Sequence, residues 1–338
     1  MKNTQRPEYN YTDPYIQEEQ KKLAFFLHQK KYSPDSIRIY NNYTGYFLTW
    51  LITQNLTTET TTYNDLLRFI NYCRKENRSI RNTNMMLVAV RHYYSMLQEL
   101  KEVENNPAAN LYLKGEVQRI PHDLLEKEKL DYLYEKYPEG HGQPYNERTQ
   151  RNKVILGLYI YQAIATDELR KLEPGHIKLK EGKIYIPGTK QTISKGGRQA
   201  RWLKLEAKQI LDLQEYLLVT RPKIIHDIKS GERLKYASRK PKEVREEALQ
   251  HQLFISLNGS DEIKVSVRFL MDDLRKLNPT VKDATQIRKS VITHWLKEKD
   301  IRTVQYMAGH SSISTTERYR AANVEELEEA LKIHHPLK

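Results

Sequence analysis

Apolar positions fall into helical stripes over most of this chain and into short alternating runs in one region. In SPDSIRIYNNYTGYFLTWL, Ile37, Tyr40, Phe47 and Leu51 recur at the spacing of one buried helix face. Ser33 stands where a cap belongs, and Pro34 suits the first turn. The same periodicity runs through YNDLLRFINYCRK and NTNMMLVAVRHYYSMLQELK, so residues 15–105 read as a block of helices. ENNPAANLYLKGEVQRIPHD breaks the pattern, because turn formers mix with basic residues and Pro107 and Pro121 interrupt a helix on either side. Beyond it, LLEKEKLDYLYEKY and RNKVILGLYIYQAIATDELRKL return to helical spacing. HIKLK, KIYIP and ARWLKL alternate with period two between glycine-bearing turns, which predicts a small antiparallel sheet inside a mostly helical domain. DIKSGERLKYASRKPKEVREEALQHQ, residues 227–252, is charged and weakly patterned and reads as a mobile insertion.

Length turns these patterns into an organisation. A chain of 338 residues exceeds the usual single core, so two domains are expected. The divisions are an N-terminal extension at 1–14, a helical domain at 15–107, a linker at 108–120 and a second domain at 121–338. Lys and Arg outnumber Asp and Glu by 56 to 43, a net charge of +13, which points to a polyanionic partner. Nucleic acid fits better than a membrane: no run approaches the roughly 18 apolar residues of a spanning helix. The polar opening MKNTQRPEYNYTDPY has no secretory core, so a cytoplasmic location is expected. The single cysteine, Cys73, excludes an internal disulfide and a thiolate metal cluster; its spacing from Leu66 and Ile70 marks a buried small hydrophobe. Arg74, Lys75, Arg78, Arg81 and Arg91 gather around the connection between two helices. Alone they would be solvated faces; with this net charge they form a candidate DNA-binding patch.

The chemistry concentrates in MAGHSSISTTERYRAAN, residues 307–323. IRTVQYMAG has apolar residues at 301, 304 and 308 and ends in Gly309, a helix terminator. Ser311, Ser312, Thr315 and Thr316 then offer caps for another helix bearing Tyr319, which leaves His310 at a helix junction. A phenol with a pKa of about 10 is a useful nucleophile only where basic groups surround it and charge developing on its target is stabilised. A phosphodiester is the natural target.

AGHSSISTTERY resembles the Gly-His, Ser-Ser, Thr-Thr, Tyr signature of tyrosine recombinases, or phage-type integrases. The resemblance extends to a SAM-like helical core-binding domain ending in NNP, an IPHDLLEKEKLDYL entry, a strand hairpin and a long helix from about Asp283. It implies a mainly α fold with a small antiparallel sheet, arranged as a two-domain C-shaped clamp around duplex DNA. It also implies cleavage of one strand through a 3′-phosphotyrosyl bond. That bond conserves the energy of the broken phosphodiester, so no cofactor, metal or ATP is expected.

Carried over residue by residue, the resemblance makes Tyr319 the nucleophile and His310 the group that hydrogen-bonds the scissile phosphate or positions the attacking oxygen. Arg288, in DATQIRKSVITHWL, would clamp the non-bridging oxygens with its planar fork. Lys190, in KIYIPGTKQTISKGG, would protonate the departing 5′ oxygen, with Lys195 competing for that role. Two positions depart from the pattern. In QAIATDEL, Glu168 and Leu169 are in register with the family's Thr-Gly-Leu-Arg-x-x-Glu-Leu, but Ala165 stands where the arginine belongs. Thr285 replaces a histidine; it can donate a hydrogen bond but cannot shuttle protons near neutral pH. Losing one preorganised donor typically costs about 10²–10³ in rate. Arg170, five helical residues on, would be rotated roughly 140° from position 165. Arg198 and Arg201, in SKGGRQARWL, are the expected substitutes because a loop reaches without helical registry.

The ending NVEELEEALKIHHPLK forms an amphipathic pattern, with Val324, Leu327 and Leu331 on one stripe of a helix at 324–335. Its plain role is packing on its own domain; the resemblance implies docking into a neighbouring protomer and a tetramer on two DNA sites, with accessory DNA-bending proteins as further partners. The expected function is integration and excision of a mobile element by site-specific recombination. The alternative is a recombinase-like DNA-binding protein with impaired catalysis and a regulatory or architectural role.

Overall fold

The computed structural model describes residues 13–115, 123–137, 146–189, 197–231, 246–257 and 263–320. The chain divides into two compact units, Met1–Gln118 and Arg119–Lys338.

The first unit is helical. Its elements are α1 (Pro14–Gln29), α2 (Pro34–Thr53), α3 (Tyr63–Lys75) and α4 (Ile80–Glu99). Asp13, Ser33, Thr62 and Ser79 cap the four helices, each accepting from backbone amides of the first turn. A cap contributes only about 1 kcal/mol. The core weighs more, at roughly 1.5–3 kcal/mol for each large apolar side chain buried. Leu23, Leu27, Phe47, Leu51, Phe69, Leu87 and Val90 fill it, while Ile37 and Tyr40 pack at its edge. Cys73 is buried among them, and burial pushes its thiol up to about 12.

Residues 108–113, expected to begin the linker, are laid against this core. Ala108 and Leu111 are buried, and the Asn84 side chain bonds both backbone groups of Leu113. Arg91 Nε and Nη2 donate to the carbonyls of Ala108 and Leu111, each at 3.0 Å. Half-buried Arg91 thus clamps the departing chain, a structural role beside its expected place in the DNA patch. Arg78 lies over the Tyr46 ring at 5.0 Å, whereas Arg74, Lys75 and Arg81 are exposed.

The second unit begins with α5 (Lys127–Lys136), α6 (Glu147–Gln162) and the single turn α7 (Thr166–Leu169). Strands β1 (Ile177–Lys178), β2 (Lys183–Ile186) and β3 (Arg201–Lys204) form an antiparallel sheet in that order. Ile184 pairs with Leu203 and faces the core; Tyr185 pairs with Trp202 on the outer side. Then come α8 (Ala207–Glu215), continued through a π-helical turn into α9 (Arg221–Lys229), and α10 (Glu246–His251). The unit ends with α11 (Ile263–Leu277), α12 (Ala284–Glu298), α13 (Ile301–Ala308) and α14 at 313–320. Helix α6 is buried on nearly all sides, so the apolar run VILGLYIY marks the middle of this core.

Two expectations need correction. The helix expected to run from 151 to 172 stops at Gln162, where Ala163 turns left-handed (φ 45°). Ala165 is therefore extended (φ −94°, ψ 153°) at the start of α7, and the helical rotation that set Arg170 aside does not apply. Arg170 itself is exposed just past α7. The charged stretch at 227–252 contributes the end of α9 and all of α10 at its margins. Its residues 232–245, residues 1–12 of the extension expected at 1–14, Pro121, Lys190, Lys195 and the helix expected at 324–335 lie outside the described residues. No described helix is long and apolar enough to cross a membrane.

Candidate active site

Three chain reversals bring distant residues together. The first is at Asp283, whose carboxylate accepts the Gln286 amide at 2.7 Å and starts α12. Arg288 follows in the second turn, 8% exposed. Its Nη1 donates to the carbonyl of Ala163 and its Nη2 to that of Ala308, at 2.6 Å. Both acceptors are helix-end carbonyls that lack an intrahelical donor. The ends of α6 and α13 therefore hold the guanidinium in place.

The second reversal is at Gly309, which ends α13 with φ 70°. A side chain there is excluded twice, by that dihedral and because a Cβ would meet Arg201 Nη1 at 2.4 Å. The turn delivers His310, 7% exposed, with Nδ1 2.9 Å from Thr316 Oγ1. Nε2 has no protein partner among the described residues. Burial, reinforced by the charges of Arg288, Arg201 and Arg198, lowers the imidazole from 6.5 to about 3, so the ring is neutral at physiological pH. Helix α14 supplies Thr316 and, one turn on, Tyr319. The Tyr319 ring stacks on His310 with centroids 5.7 Å apart and planes 15° apart. The interval between residues 310 and 319 thus encodes one turn and one short helix folded back on it.

The third reversal joins the end of the hairpin to the His310 turn. Gln199 N donates to Gly309 O at 2.8 Å, and Arg198 and His310 form an isolated antiparallel bridge. Beneath lies Glu168, fully buried. Its Oε1 accepts Arg201 Nη1 at 2.7 Å, and its Oε2 accepts the Ala165 amide at 2.8 Å. Arg198 Nε is 3.2 Å and Arg288 Nη1 3.8 Å from the same carboxylate. Burial pushes this carboxyl up, but the Arg201 hydrogen bond and the charges of Arg201 and Arg288 outweigh it, so it ionises below the usual range. Burial also lowers Arg288 to about 10, still protonated at neutral pH. One buried anion surrounded by three guanidinium groups leaves an excess of positive charge.

Above this buried cluster lies an open cleft of about 510 Å³ whose lining includes Ala165, Asp167, Arg198, Thr285, Arg288, Lys289, His310 and Tyr319. Five residues named from sequence, Tyr319, His310, Arg288, Arg198 and Thr285, therefore meet in one place. Arg201 does not: it lies 2% exposed, bonded to Glu168 and to the carbonyls of Met307 and Gln199. Asp167 and Lys289 were not anticipated; each adjoins a named residue in sequence, and that adjacency was the available signal. Thr316, one of the expected caps, is the partner of His310.

The model of the phage integrase family matches residues 125–326, more than half of the chain, and that of the phage integrase N-terminal SAM-like domain matches residues 23–101. The chain belongs to the phage integrase family. Its members include the tyrosine recombinases, enzymes that break and rejoin DNA strands. The chain is 24% identical over 316 residues to tyrosine recombinase XerC of Oceanobacillus iheyensis, covering 91% of this chain and 92% of the relative. Its fold is similar to that of the XerH site-specific recombinase bound to a palindromic difH substrate (TM-score 0.64, 19% identity, 88% of this chain and 79% of the other). It is also similar in fold to the Tn1549 transposon integrase in complex with transposon right end DNA (TM-score 0.58, 12% identity, 92% and 98%).

Proposed function

We propose that this phage integrase family protein is a site-specific recombinase of double-stranded DNA whose nucleophile is Tyr319. One observation carries the assignment: Tyr319, His310, Arg288 and Arg198, drawn from four separate elements, line a single cationic cleft. In the cleavage step the Tyr319 oxygen attacks the scissile phosphorus, forming the new P–O bond as the bond to the 5′ oxygen breaks. The phenolic proton passes to water at the open side, and the 5′ oxygen takes a proton from Lys190 or from Lys195. Rejoining runs the sequence backwards with the 5′ hydroxyl of another strand, so phosphodiester energy is conserved. Arg288 keeps donors to spare, since a guanidinium carries five N–H groups and two donate to carbonyls. A ring that protonates only near 3 is a poor base, so His310 acts as a neutral donor from Nε2, with Thr316 holding the tautomer. Thr285 adds a hydroxyl donor at the rim.

Within this chemistry, integration and excision of a mobile element is the task we assign, with four subunits held on two DNA sites through residues 324–335. Ala165 favours a second reading, a DNA-binding protein with impaired catalysis. A nicked duplex separates the two, because loss of the short cleaved fragment traps the covalent intermediate. The recombinase reading predicts a denaturation-resistant protein–DNA complex that Tyr319→Phe abolishes. Salt-sensitive binding with no such complex supports the second reading.

A further inference from the structure

We infer that Arg198, from the hairpin, supplies the phosphate-binding guanidinium that Ala165 cannot. This rests on the recombinase reading above. Ala165 lines the cleft from an extended backbone and offers only a methyl group there. Two hairpin arginines lie nearby, and their bonding distinguishes them. Arg201 uses all three of its guanidinium nitrogens in four hydrogen bonds and is sealed from the cleft. It is a positioning residue.

Arg198 differs in each respect. Its side chain is 25% exposed and lines the cleft. Nη2 donates to Asp167, whose side chain is 53% exposed. Nε is buried 3.2 Å from Glu168 yet makes no hydrogen bond, a donor left unsatisfied. A phosphate oxygen arriving in the cleft exchanges one anionic acceptor for another at Nη2, while the solvent-facing Asp167 carboxylate returns to water. That exchange retains the pairing of the guanidinium, whereas drawing Arg201 from Glu168 would strand a buried charge.

The backbone keeps Arg198 in position for this task. Its amide donates to Thr189 Oγ1 at 2.9 Å, its carbonyl accepts the Thr189 amide at 2.9 Å, and it bridges to His310. Arg198 and His310 are thereby held at a fixed separation, as two donors to one phosphate must be. Residue 165 lies at the same carboxylate, since its amide bonds Glu168 Oε2 while Arg198 Nε faces Oε1.

The test measures the rate of covalent complex formation on a nicked duplex for wild type, Arg198→Ala, Ala165→Arg/Arg198→Ala and Tyr319→Phe. Arg198→Ala is expected to lower the rate by about 10²–10³. Ala165→Arg is expected to restore at least about tenfold in the Arg198→Ala background, because it returns a guanidinium to the same cleft; a purely structural Arg198 would not be rescued in this way. An Arg198→Ala protein at the wild-type rate, or a double variant no faster than Arg198→Ala, overturns the inference while a null Tyr319→Phe leaves the recombinase reading standing. A complex that persists in Tyr319→Phe overturns both.

Discussion

Arg198 and Arg201 are three residues apart, and the strand decides their separate fates. Arg201 pairs with Ile186 on the inward face of β3, so its guanidinium enters the core and meets Glu168. Arg198 precedes the strand and stays at the cleft wall. His310 is the residue with the clearest solution signature. Below its ordinary 6.5 the unfolded chain takes up a proton that the buried ring refuses until about 3, so this histidine makes the folded state lose stability as pH falls through that window. Denaturant midpoints recorded from pH 7 to pH 4 should fall less steeply for His310→Gln than for wild type. Equal slopes would contradict a buried neutral ring. Tyr319, His310 and Arg288 were legible as positions because their signatures are local: a nine-residue interval and a capped helix. Choosing between Arg198 and Arg201 was not possible from sequence, since no hydropathy rule predicts an arginine pointing inward against a carboxylate 33 residues away.

At the level of elements, the structure departs from sequence expectation where polar contacts override propensity. QAIATDEL carries no proline or glycine, so helical periodicity ran through it. The chain breaks there because the Ala163 carbonyl bonds Arg288 and the Ala165 amide bonds Glu168, both long-range or side-chain partners invisible to a periodicity argument. Helices α2 and α12 and the strand alternation were readable because their caps and apolar stripes are local. The Glu168–Arg201 pair ties α7, β3 and α13 together, and this gives a stability prediction. Arg201→Met removes the guanidinium that hydrogen-bonds this buried carboxylate, leaving Arg198 and Arg288 as its remaining ionic partners, and should cost about 3 kcal/mol in urea unfolding, while adding Glu168→Gln should recover part of that loss. A single-variant cost below about 1 kcal/mol would show that the pair holds nothing together.

For the whole molecule, the net charge of +13 calls for an electrostatic contribution to DNA binding, and the basic residues proposed to provide it differ in exposure. Arg74, Lys75 and Arg81 are exposed, whereas Arg91 is occupied with backbone carbonyls. In a plot of log affinity against log salt, removing a phosphate-contacting member of the exposed set should reduce the slope by about 1. Arg91→Ala should leave the slope unchanged and lower stability. The central proposal is strand exchange through one phenolic oxygen among 23 tyrosines. Mass spectrometry of the peptide retained on a trapped nicked duplex tests that most directly: a 3′-phosphate attached to Tyr319 is the predicted result, and attachment at another tyrosine, or to a 5′-phosphate, would contradict it.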